Sequence, residues 1–533
     1  MKISDKIFFL IVIFKLLLSG GIMKLRKSFA IVFCVLFSLA ANAAERDEFF
    51  WLGEMNKATA VINSEEGLLD KAVTPKIARG IEEVITNGSK PGAKRPKKVI
   101  AFEPLLIKAA GMDVTMLHIG RSSQDMHATY RAAILRDEAL ELMVSLSNTM
   151  QSLLDLAEKN KNTIVPNYTN GVAAQPNSYA HYLLGLLSAF RRDAERIENF
   201  YDRLNYCAMG TTVLNGTSWP LNRERMAHYL GFKAPVENAY DAGQFKSNDD
   251  AVEFSSILTS IALHVGTFIQ DLSVQYAQPR PWILLQEGGE NTYVSSAMPQ
   301  KRNPGLMIRT RTNASRVISD AQQAVWLAHN IIPGMSDARN VEDTSGRVKE
   351  TLAMLSQVRR VIAALKINPE RALEELNSDW TASQEVADVF MRDYKLPFRV
   401  GHHIASEIVS YAKANGIKPA DFPYSEVKRI YAEVIKKEYP QGNPLCPMPE
   451  SQFKDTLNPV KIIQNRKTTG GPQPAELNKN LASMEKSIQS QLNWAKDNVA
   501  TISNALQKLD GDFQKILPKE EAKKTDRSLD LNR

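Results

Sequence analysis

Apolar residues recur at alternating intervals of four and three residues along several long segments of this chain. One such seam runs from Leu183 to Leu204, and a second lies within Met126–Lys159. A third long apolar segment, Ala251–Tyr276, is interrupted only by Gly266. This spacing is typical of helices that pack along a narrow stripe, as in coiled coils and helical bundles. Because sustained two-residue alternation is hard to find, the sequence predicts an all-α fold built on a long helical bundle.

The last part of the chain carries an apolar seam of its own. After Pro474 the apolar residues at helical spacing are Leu477, Leu481, Met484, Ile488, Ala495, Val499, Ile502, Leu506, Leu509, Phe513 and Ile516. We predict one long amphipathic helix that packs on the body of the protein, and a coiled coil with a partner is the alternative. Beyond Pro518 the chain is highly charged and is expected to fray.

Composition places the chain among soluble globular proteins. Of its 533 residues, 44% are hydrophobic and 23% are charged, and the formal net charge is +7. A chain of this length is expected to divide into two or three units. Its basic residues cluster in loops such as Lys90–Lys98, without interleaved aromatic residues, so we expect no nucleic-acid partner. A small anionic substrate is compatible with the same charge.

The N-terminus has the layout of a secretory signal peptide. Basic residues follow Met23, the apolar run Phe29–Leu39 comes next, and Ala41-Asn42-Ala43 forms an A-x-A cleavage site. We expect residues 1–43 to be removed, with Met23 as the true start, and the protein to be exported to the bacterial periplasm. No later segment has about 18 uninterrupted apolar residues, so we expect the mature chain not to span a membrane.

The cysteines and the short motifs offer nothing for a metal or a cofactor. Cys207 and Cys446 remain after the signal peptide, and no C-x-x-C pair is present. Neither H-E-x-x-H, a Cys/His cluster, G-x-G-x-x-G nor a Walker-type loop occurs. We therefore interpret both cysteines as buried thiols and predict neither a metal nor a cofactor.

The stretch "VSSAMPQKRNPG" (Val294–Gly305) combines hydroxyls with cations in a turn-forming loop. A serine is a poor base unless cations and backbone N–H groups stabilise its deprotonated form. Lys301 supplies a positive charge within reach of Ser295. The alternative is a basic surface loop without a chemical role.

Several stretches resemble the motifs of argininosuccinate lyase and its relatives in the fumarase/aspartase superfamily. They are "LHIGRSSQDMHAT", "YTNGVAAQPNSYAHYLL", "NGTSWPLNRERMAHYLGF", "SSAMPQKRNP" and "LPFRVGHHIASEIVSYA". The resemblance runs in the same order from about Phe50 to Thr469. It implies a three-domain all-α fold with a central bundle, and a homotetramer whose sites are each built from three subunits.

The resemblance also implies a division of the chain. The N-terminal helical domain would cover residues 44–118, the central bundle 119–395 and the C-terminal helical domain 396–474. Residues 475–533 would form the added amphipathic helix and its frayed tail.

Members of this family remove a proton from the carbon beside a carboxylate and then expel an amine or hydroxyl, which leaves fumarate. By position, Ser295 matches the catalytic base, and Lys301 would bind the carboxylate that gains negative charge. Asn303 would orient the same group. The residues matched to substrate binding are Arg121, Ser122, Gln124, Thr169 and Asn170.

The chain departs from the family pattern at the proton donor. The family's histidine after Y-T is replaced by Asn170, and an amide cannot transfer a proton at physiological pH. His118 is the candidate acid, with a structural role as the alternative. Protonation by water, or an amine that is already protonated, would need no acid. We interpret His127, His181 and the pair His402-His403 as structural.

The stretch "SDARNVEDT" replaces the family segment that holds the arginine end of argininosuccinate. It keeps Glu342 and Asp343, but Ser336, Val341 and Thr344 stand in place of a tyrosine, a glutamine and a lysine. We therefore expect a carbon–nitrogen lyase for another N-substituted aspartate, acting towards fumarate or in reverse. The alternative is an exported dicarboxylate-binding or scaffold protein that has lost turnover.

Overall fold

The computed structural model describes residues 46–333 and 343–518, and these are mostly helical. The signal peptide, the charged tail after Pro518 and residues 336–342 of the "SDARNVEDT" stretch lie outside the described residues.

The helices of the first half are as follows. In chain order they are α1 (Glu48–Glu65), α2 (Thr74–Gly88), α3 (Val99–Ala110), α4 (Ser123–Lys159), α5 (Tyr179–Leu204), α6 (Arg223–Tyr229), α7 (Ala239–Gln244) and α8 (Lys246–Tyr276). A 3₁₀ helix, Met112–His118, leads into α4.

The second half continues with further helices. They are α9 (Gly305–Ala328), α10 (Ser345–Ala364), α11 (Pro369–Ser378), α12 (Ser383–Tyr394), α13 (Phe398–Ala414), α14 (Tyr424–Glu438), α15 (Glu450–Thr456), α16 (Pro459–Asn465) and α17 (Pro474–Ile516). A second 3₁₀ helix covers Pro419–Asp421.

Short strands form two-stranded sheets between these helices. The strands are β1 (Ile164–Thr169), β2 (Val172–Ser178), β3 (Tyr206–Cys207), β4 (Ala234–Pro235), β5 (Ile283–Leu285), β6 (Tyr293–Val294), β7 (Arg302–Asn303) and β8 (Leu365–Ile367). β1–β2, β5–β8 and β6–β7 pair antiparallel, whereas β3–β4 pair parallel. The fold is thus all-α, as predicted, with local hairpins that the spacing of apolar residues did not indicate.

The central bundle consists of α4, α5, α8, α9 and α10, which pack lengthwise on one another. Its predicted seams are buried: Leu183, Leu187 and Phe190 on α5 are each 0% exposed. By length and composition α8 is apolar enough to cross a membrane, and half of its most apolar window is buried. Since α8 contacts α5, α9 and α10, this hydropathy fits a core helix of the bundle.

A second apolar core lies in the C-terminal part of the chain. It is formed by α12 to α16 and extends from Trp380 to Ile462. Trp380 and Phe390 belong to this core although both precede residue 396, where the domain boundary was predicted.

Helix α17 returns to the main body, where it packs on α1, α4, α5 and α6. All residues of its predicted seam are buried except Ile516, which is half-buried. Lys57 on α1 lies 2.7 Å from the carboxylate of Asp510, and the hydroxyl of Tyr229 donates to Asp512 at 2.8 Å. In this chain the seam is therefore covered by the body of the same protein.

Candidate active site

Ser295 and Lys301 stand at the two ends of a loop that joins β6 to β7. Tyr293 pairs with Asn303 and Val294 with Arg302, which places the loop directly beyond the paired strands. The N–H of Ser295 donates to the carbonyl of Lys301 at 3.4 Å and closes the loop. The side chain of Ser295 is half-buried and that of Lys301 is exposed. Lys301 forms no ion pair with any residue that the structure describes.

The hydroxyl of Ser295 faces backbone donors of its own loop. Its Oγ accepts from the N–H of Met298 at 3.2 Å and, more weakly, from the N–H of Ala297 at 3.4 Å. A serine at the start of a turn commonly makes such local bonds. Two N–H dipoles aimed at one oxygen favour its deprotonated form, so the loop geometry suits a base at this position.

The strands below the loop are tied to the bundle. The hydroxyl of Tyr276 on α8 donates to the carbonyl of Arg302 at 3.0 Å, and the Nε of Arg302 donates to Glu287 at 2.9 Å. The side-chain amide of Asn303 donates to the carbonyl of Tyr293 at 3.4 Å. In the single chain Asn303 therefore supports the hairpin.

Arg121, Ser122 and Gln124 surround the start of α4. Ser122 is the N-cap: its hydroxyl accepts from the N–H of Gln124 at 3.1 Å, and its own N–H donates to Asp125 at 2.8 Å. This reciprocal capping box begins the longest helix of the bundle. The amide of Gln124 donates to the carbonyl of Gly243 at 3.0 Å, so it holds the α7 segment.

Arg121 is a buried cation held by α1. Its guanidinium donates to Asn56 at 2.8 Å and to Thr59 at 3.2 Å, while its Nε finds no partner among the described residues. Burial lowers the pKa of Arg121 to about 10, and the negative charges of Asp125 and Glu103 oppose this shift. The side chain therefore stays charged at neutral pH, and its Nε–H is not used by the described residues.

Asp125 links the loop that follows β3 to the start of α4. This carboxylate is 0% exposed and accepts from the N–H groups of Gly210 at 2.9 Å and Thr212 at 3.3 Å. Thr212 and the following Val213 have φ angles of 48° and 76°, in the left-handed region. A β-branched residue there is strained, and such strain is concentrated at functional sites.

His118 forms a close pair with a carboxylate at the end of the 3₁₀ helix. Its Nε2 lies 2.5 Å from Oε1 of Glu103 on α3, and both side chains are partly exposed. His118 stands three residues before Arg121 in the chain. A histidine oriented by a carboxylate is the usual arrangement for a proton donor or acceptor.

Thr169 and Asn170 lie at the tip of the β1–β2 hairpin. Thr169 pairs with Val172, which leaves Asn170 and Gly171 as a two-residue turn with φ angles of 52° and 78°. Asn-Gly is the preferred sequence for such a turn because both residues adopt left-handed conformations. Both Thr169 and Asn170 are exposed. The residue in place of the family histidine therefore has a conformational reason to be asparagine.

The predicted site residues thus fall into three groups on separate elements. One group is the β6–β7 loop, the second surrounds the start of α4, and the third is the β1–β2 tip. No hydrogen bond between described residues joins one of these groups to another. Their assembly into one site stays a prediction.

Sequence reasoning did not single out the residues that support this geometry, namely Asn56, Thr59 and Glu103. A signal was present for two of them, since Asn56 and Thr59 are polar residues one turn apart on an otherwise apolar helix face. Both are buried, at 1% and 3% exposure. Glu103 has no comparable signal, because acidic residues on exposed helices are common.

The four histidines interpreted as structural, His127, His181, His402 and His403, make contacts within the fold. His127 Nε2 accepts the N–H of Val99 at 3.3 Å, His181 contacts the carbonyl of Gly470 at 2.9 Å, and His403 pairs with Glu438. The ring of His402 contacts those of Phe398 and His403.

Both cysteines are free thiols. Cys207 is buried, and burial raises its pKa to about 11. Cys446 is only half-buried, in contrast to the expectation that both would be buried. Among residues 46–333 and 343–518, no group of three or more His, Cys, Asp or Glu side chains is placed to hold a metal ion.

The family described as lyase matches residues 42–319, which is more than half of the chain. The chain belongs to the lyase family. A second family, described as argininosuccinate lyase C-terminal, matches residues 380–464 of this lyase. Membership in the lyase family favours an enzyme over the dicarboxylate-binding or scaffold protein.

Similar proteins cover almost the whole lyase. An argininosuccinate lyase of Methanosarcina acetivorans is 27% identical over 90% of this chain and 94% of its own length. An argininosuccinate lyase of Methanocaldococcus jannaschii is 29% identical over 80% of this chain and 85% of its own.

Solved structures share the fold of this lyase. A variant of EDDS lyase with bound fumarate superposes with a TM-score of 0.80 at 22% identity, over 91% of this chain and 95% of its own. A fumarate lyase:delta crystallin from Brucella melitensis bound to cobalt has a TM-score of 0.61 at 16% identity, over 79% of this chain and 91% of its own. At these identities the likeness concerns the fold.

Proposed function

We propose that this lyase is a carbon–nitrogen lyase that eliminates an amine from an N-substituted aspartate and releases fumarate, or runs the reverse addition. The observation that carries the proposal is the β6–β7 loop. There the Oγ of Ser295 accepts two backbone N–H groups and Lys301 closes the same loop. Relatives named argininosuccinate lyase support the reaction class.

In this mechanism the alkoxide of Ser295 removes the proton from the carbon beside a carboxylate. The electron pair moves into that carboxylate and forms an aci-carboxylate dianion, which the ammonium of Lys301 stabilises. The dianion then collapses to the carbon–carbon double bond as the carbon–nitrogen bond breaks. The departing nitrogen takes a proton from His118, and Glu103 holds the imidazole in place.

The leaving amine differs from arginine in this proposal. Thr344, which stands where the family has a lysine, donates its hydroxyl to Glu138 at 2.6 Å and is 3% exposed. It is therefore engaged by the protein itself. A panel of N-substituted aspartates, with fumarate followed by ultraviolet absorbance, tests the reaction and ranks the amines. Absence of fumarate from the whole panel, and of addition in reverse, would refute the proposal.

We propose a homotetramer in which neighbouring chains complete each site. The outward face of α8 and α9 carries large exposed apolar residues, which are Leu263 at 54%, Ile308 at 41%, Val325 at 50% and Trp326 at 77%. Such a face on a bundle indicates an interface. The three groups of candidate site residues lie on separate elements of one chain, and contributions from other chains would bring them together.

We also propose that the mature protein begins after Ala43 and is exported. N-terminal sequencing of the protein purified from a bacterial host, together with cell fractionation, tests this. Uncleaved protein in the cytoplasmic fraction would refute it.

A further inference from the structure

A cavity of about 400 Å³ lies away from the β6–β7 loop, between β1, the start of α5 and the second half of α8. We name it the tyrosine cavity, after the residues that give it its chemistry: Tyr168, Tyr179, Tyr182, Asp271, Gln275 and Trp282. Its volume is within the range of small-molecule sites. Neither the proposed base nor Lys301 lines it.

Aromatic rings form much of the wall of this cavity. Tyr179 and Tyr182 stack with centroids 5.8 Å apart, and Trp282 meets Tyr179 edge-on at 5.7 Å. The Nε1 of Trp282 donates to the hydroxyl of Tyr168 at 3.2 Å, which fixes the two rings relative to each other. Ring faces held in this way attract organic cations.

Two buried acceptors of the cavity have no partner in the described part of the chain. They are the hydroxyl of Tyr179, a residue 1% exposed, and Oε1 of Gln275, a residue 4% exposed. A buried polar atom without a partner is destabilising, so these two atoms favour an occupant that can form hydrogen bonds with them. Gln275 Oε1 can only accept a hydrogen bond, which requires an occupant with N–H or O–H donors.

Asp271 supplies the charge. It is the one charged residue that lines the cavity, and its Oδ2 accepts the hydroxyl of Tyr182 at 2.6 Å. Burial, together with the negative charge of Asp271, raises the pKa of Tyr182 and of Tyr179, so both remain neutral phenols. The cavity thus offers a carboxylate and no cation.

We propose that the tyrosine cavity binds a small protonated primary amine. The ammonium has three N–H donors, and the cavity offers three acceptors for them, on Asp271, Gln275 and Tyr179. The aromatic rings cover its apolar part. In the single chain Asp271 and Tyr182 are half-buried, so the cavity opens to the surface of that chain. This site does not depend on the proposed reaction.

The wall of the cavity is adjacent in sequence to a candidate active-site residue. Tyr168 lines the cavity, and the next residue, Thr169, is one of the predicted substrate-binding residues. The side chains of neighbouring strand residues point to opposite faces. Tyr168 at the cavity wall and the predicted substrate-binding residue Thr169 are therefore neighbours on one strand with side chains on opposite faces.

Calorimetric titration of the full mature protein with n-pentylammonium chloride at neutral pH tests the proposal. We expect saturable one-site binding. Asp271→Asn should weaken it about tenfold or more, because a charged hydrogen bond is lost. Tyr179→Phe should weaken it severalfold while leaving the fold intact. Asp249→Asn is the matched control, since Asp249 is an exposed carboxylate on the same helix, and it should bind like the native protein.

Two comparison ligands separate the contribution of the positive charge from that of the N–H donors. The neutral analogue 1-pentanol should bind far more weakly than the amine, and tetramethylammonium, which has no N–H donors, should bind more weakly too. Ser295→Ala should bind pentylammonium normally, so failure of the reaction and failure of this site are distinguishable. Absent binding would mean that the cavity holds only water, and equal binding by the Asp271→Asn variant would mean that the amine does not use this carboxylate; either result would overturn the proposal.

Discussion

The N–H of Ser295 donates to the carbonyl oxygen of Lys301 at 3.4 Å, so the backbone itself joins the two residues expected to carry out the chemistry. This bond closes a loop in which every residue between them is exposed. The hydroxyl, the N–H groups that it accepts from and the ammonium therefore belong to one local unit. Such a unit keeps its geometry independently of the other two groups of candidate residues.

Replacement of the proposed base should abolish turnover without unfolding the protein. Ser295→Ala removes the oxygen that is proposed to accept the carbon-bound proton, and we expect fumarate release to fall by about a thousandfold or more. Ser296→Ala is the matched control, because it changes the neighbouring exposed hydroxyl, and it should keep most activity. The measurement is the initial rate of fumarate release, followed by ultraviolet absorbance, for both variants and the native protein. Equal rates for Ser295→Ala and the native protein would refute the assignment.

A histidine at position 170 should not improve the enzyme. Asn170 has a φ of 52° in an Asn-Gly turn, a conformation that asparagine adopts readily, and the proton donor is proposed to be His118. Asn170→His should therefore give equal or lower activity and a hairpin less stable by up to about 1 kcal/mol. Asn170→Gly tests the turn alone and should retain the native melting temperature. A gain of tenfold or more in Asn170→His would support a protein that has lost its acid.

The role of His118 should depend on the leaving group. His118→Gln should slow the elimination of a strongly basic amine by about a hundredfold, because such an amine leaves only when protonated. For a substrate whose amine is weakly basic, the same variant should lose much less. Glu103→Gln should show the same dependence on the leaving amine with smaller losses of rate, since Glu103 only positions the imidazole. An effect of equal size on all amines would indicate a structural role for the pair.

His127 should make stability depend on pH. Burial and the nearby charges of Arg131 and Lys98 lower its pKa from 6.5 to about 4. Between these values the unfolded chain binds more protons than the folded one, so stability falls as the pH falls from 6.5 towards 4. Because the ring is partly exposed, the loss should amount to about 1–2 kcal/mol.

The His127→Gln variant tests this pH dependence. Glutamine does not titrate but can still accept the N–H of Val99. The native protein should therefore lose more stability than the variant on going from pH 7 to about pH 4.5, so the difference between their urea unfolding midpoints should change with pH. A gap that is independent of pH would contradict the prediction.

Assembly and activity should be lost together. Leu263→Arg places a charge on the exposed apolar face of α8, where Leu263 is 54% exposed, and should dissociate the proposed tetramer. The fumarate rate should fall in parallel, since each site is proposed to need neighbouring chains. Leu445→Arg changes a residue that is 75% exposed on the C-terminal unit and should alter neither property. Light scattering after size exclusion measures the mass, and a fully active monomer would contradict shared sites.

The helices were predictable because each buries a regular stripe. The predicted seam of Leu183 to Leu204 coincides with α5, and the helix predicted after Pro474 coincides with α17. Burial of such stripes drives both helices onto the body, so the spacing of the apolar residues predicts the helices.

The β1–β2 hairpin was not predicted, although its signal was present. Asn170-Gly171 is the strongest short-range sequence for a two-residue turn. The flanking strands lack clear alternation, and the register shifts between Asn167 and Tyr168, which conceals the pattern further. Prolines at 166 and 176 also argue against strands.

The partners of the candidate site residues could not be derived in the same way. Arg121 is held by Asn56 and Thr59, which lie more than sixty residues earlier in the chain. Contacts over such distances depend on how α1 crosses α4, and a single sequence does not encode that crossing in a readable pattern. The motif identified Arg121, whereas its burial and its unpartnered Nε follow only from the folded structure.

Packing of α17 on α1 ties the two ends of the described chain into one core. Lys57, near the start, meets Asp510, which comes more than four hundred residues later. During synthesis the face of α1 that α17 covers therefore stays uncovered until almost the entire polypeptide has left the ribosome. A product released early would keep an uncovered apolar stripe, by which quality-control proteases could recognise unfinished copies.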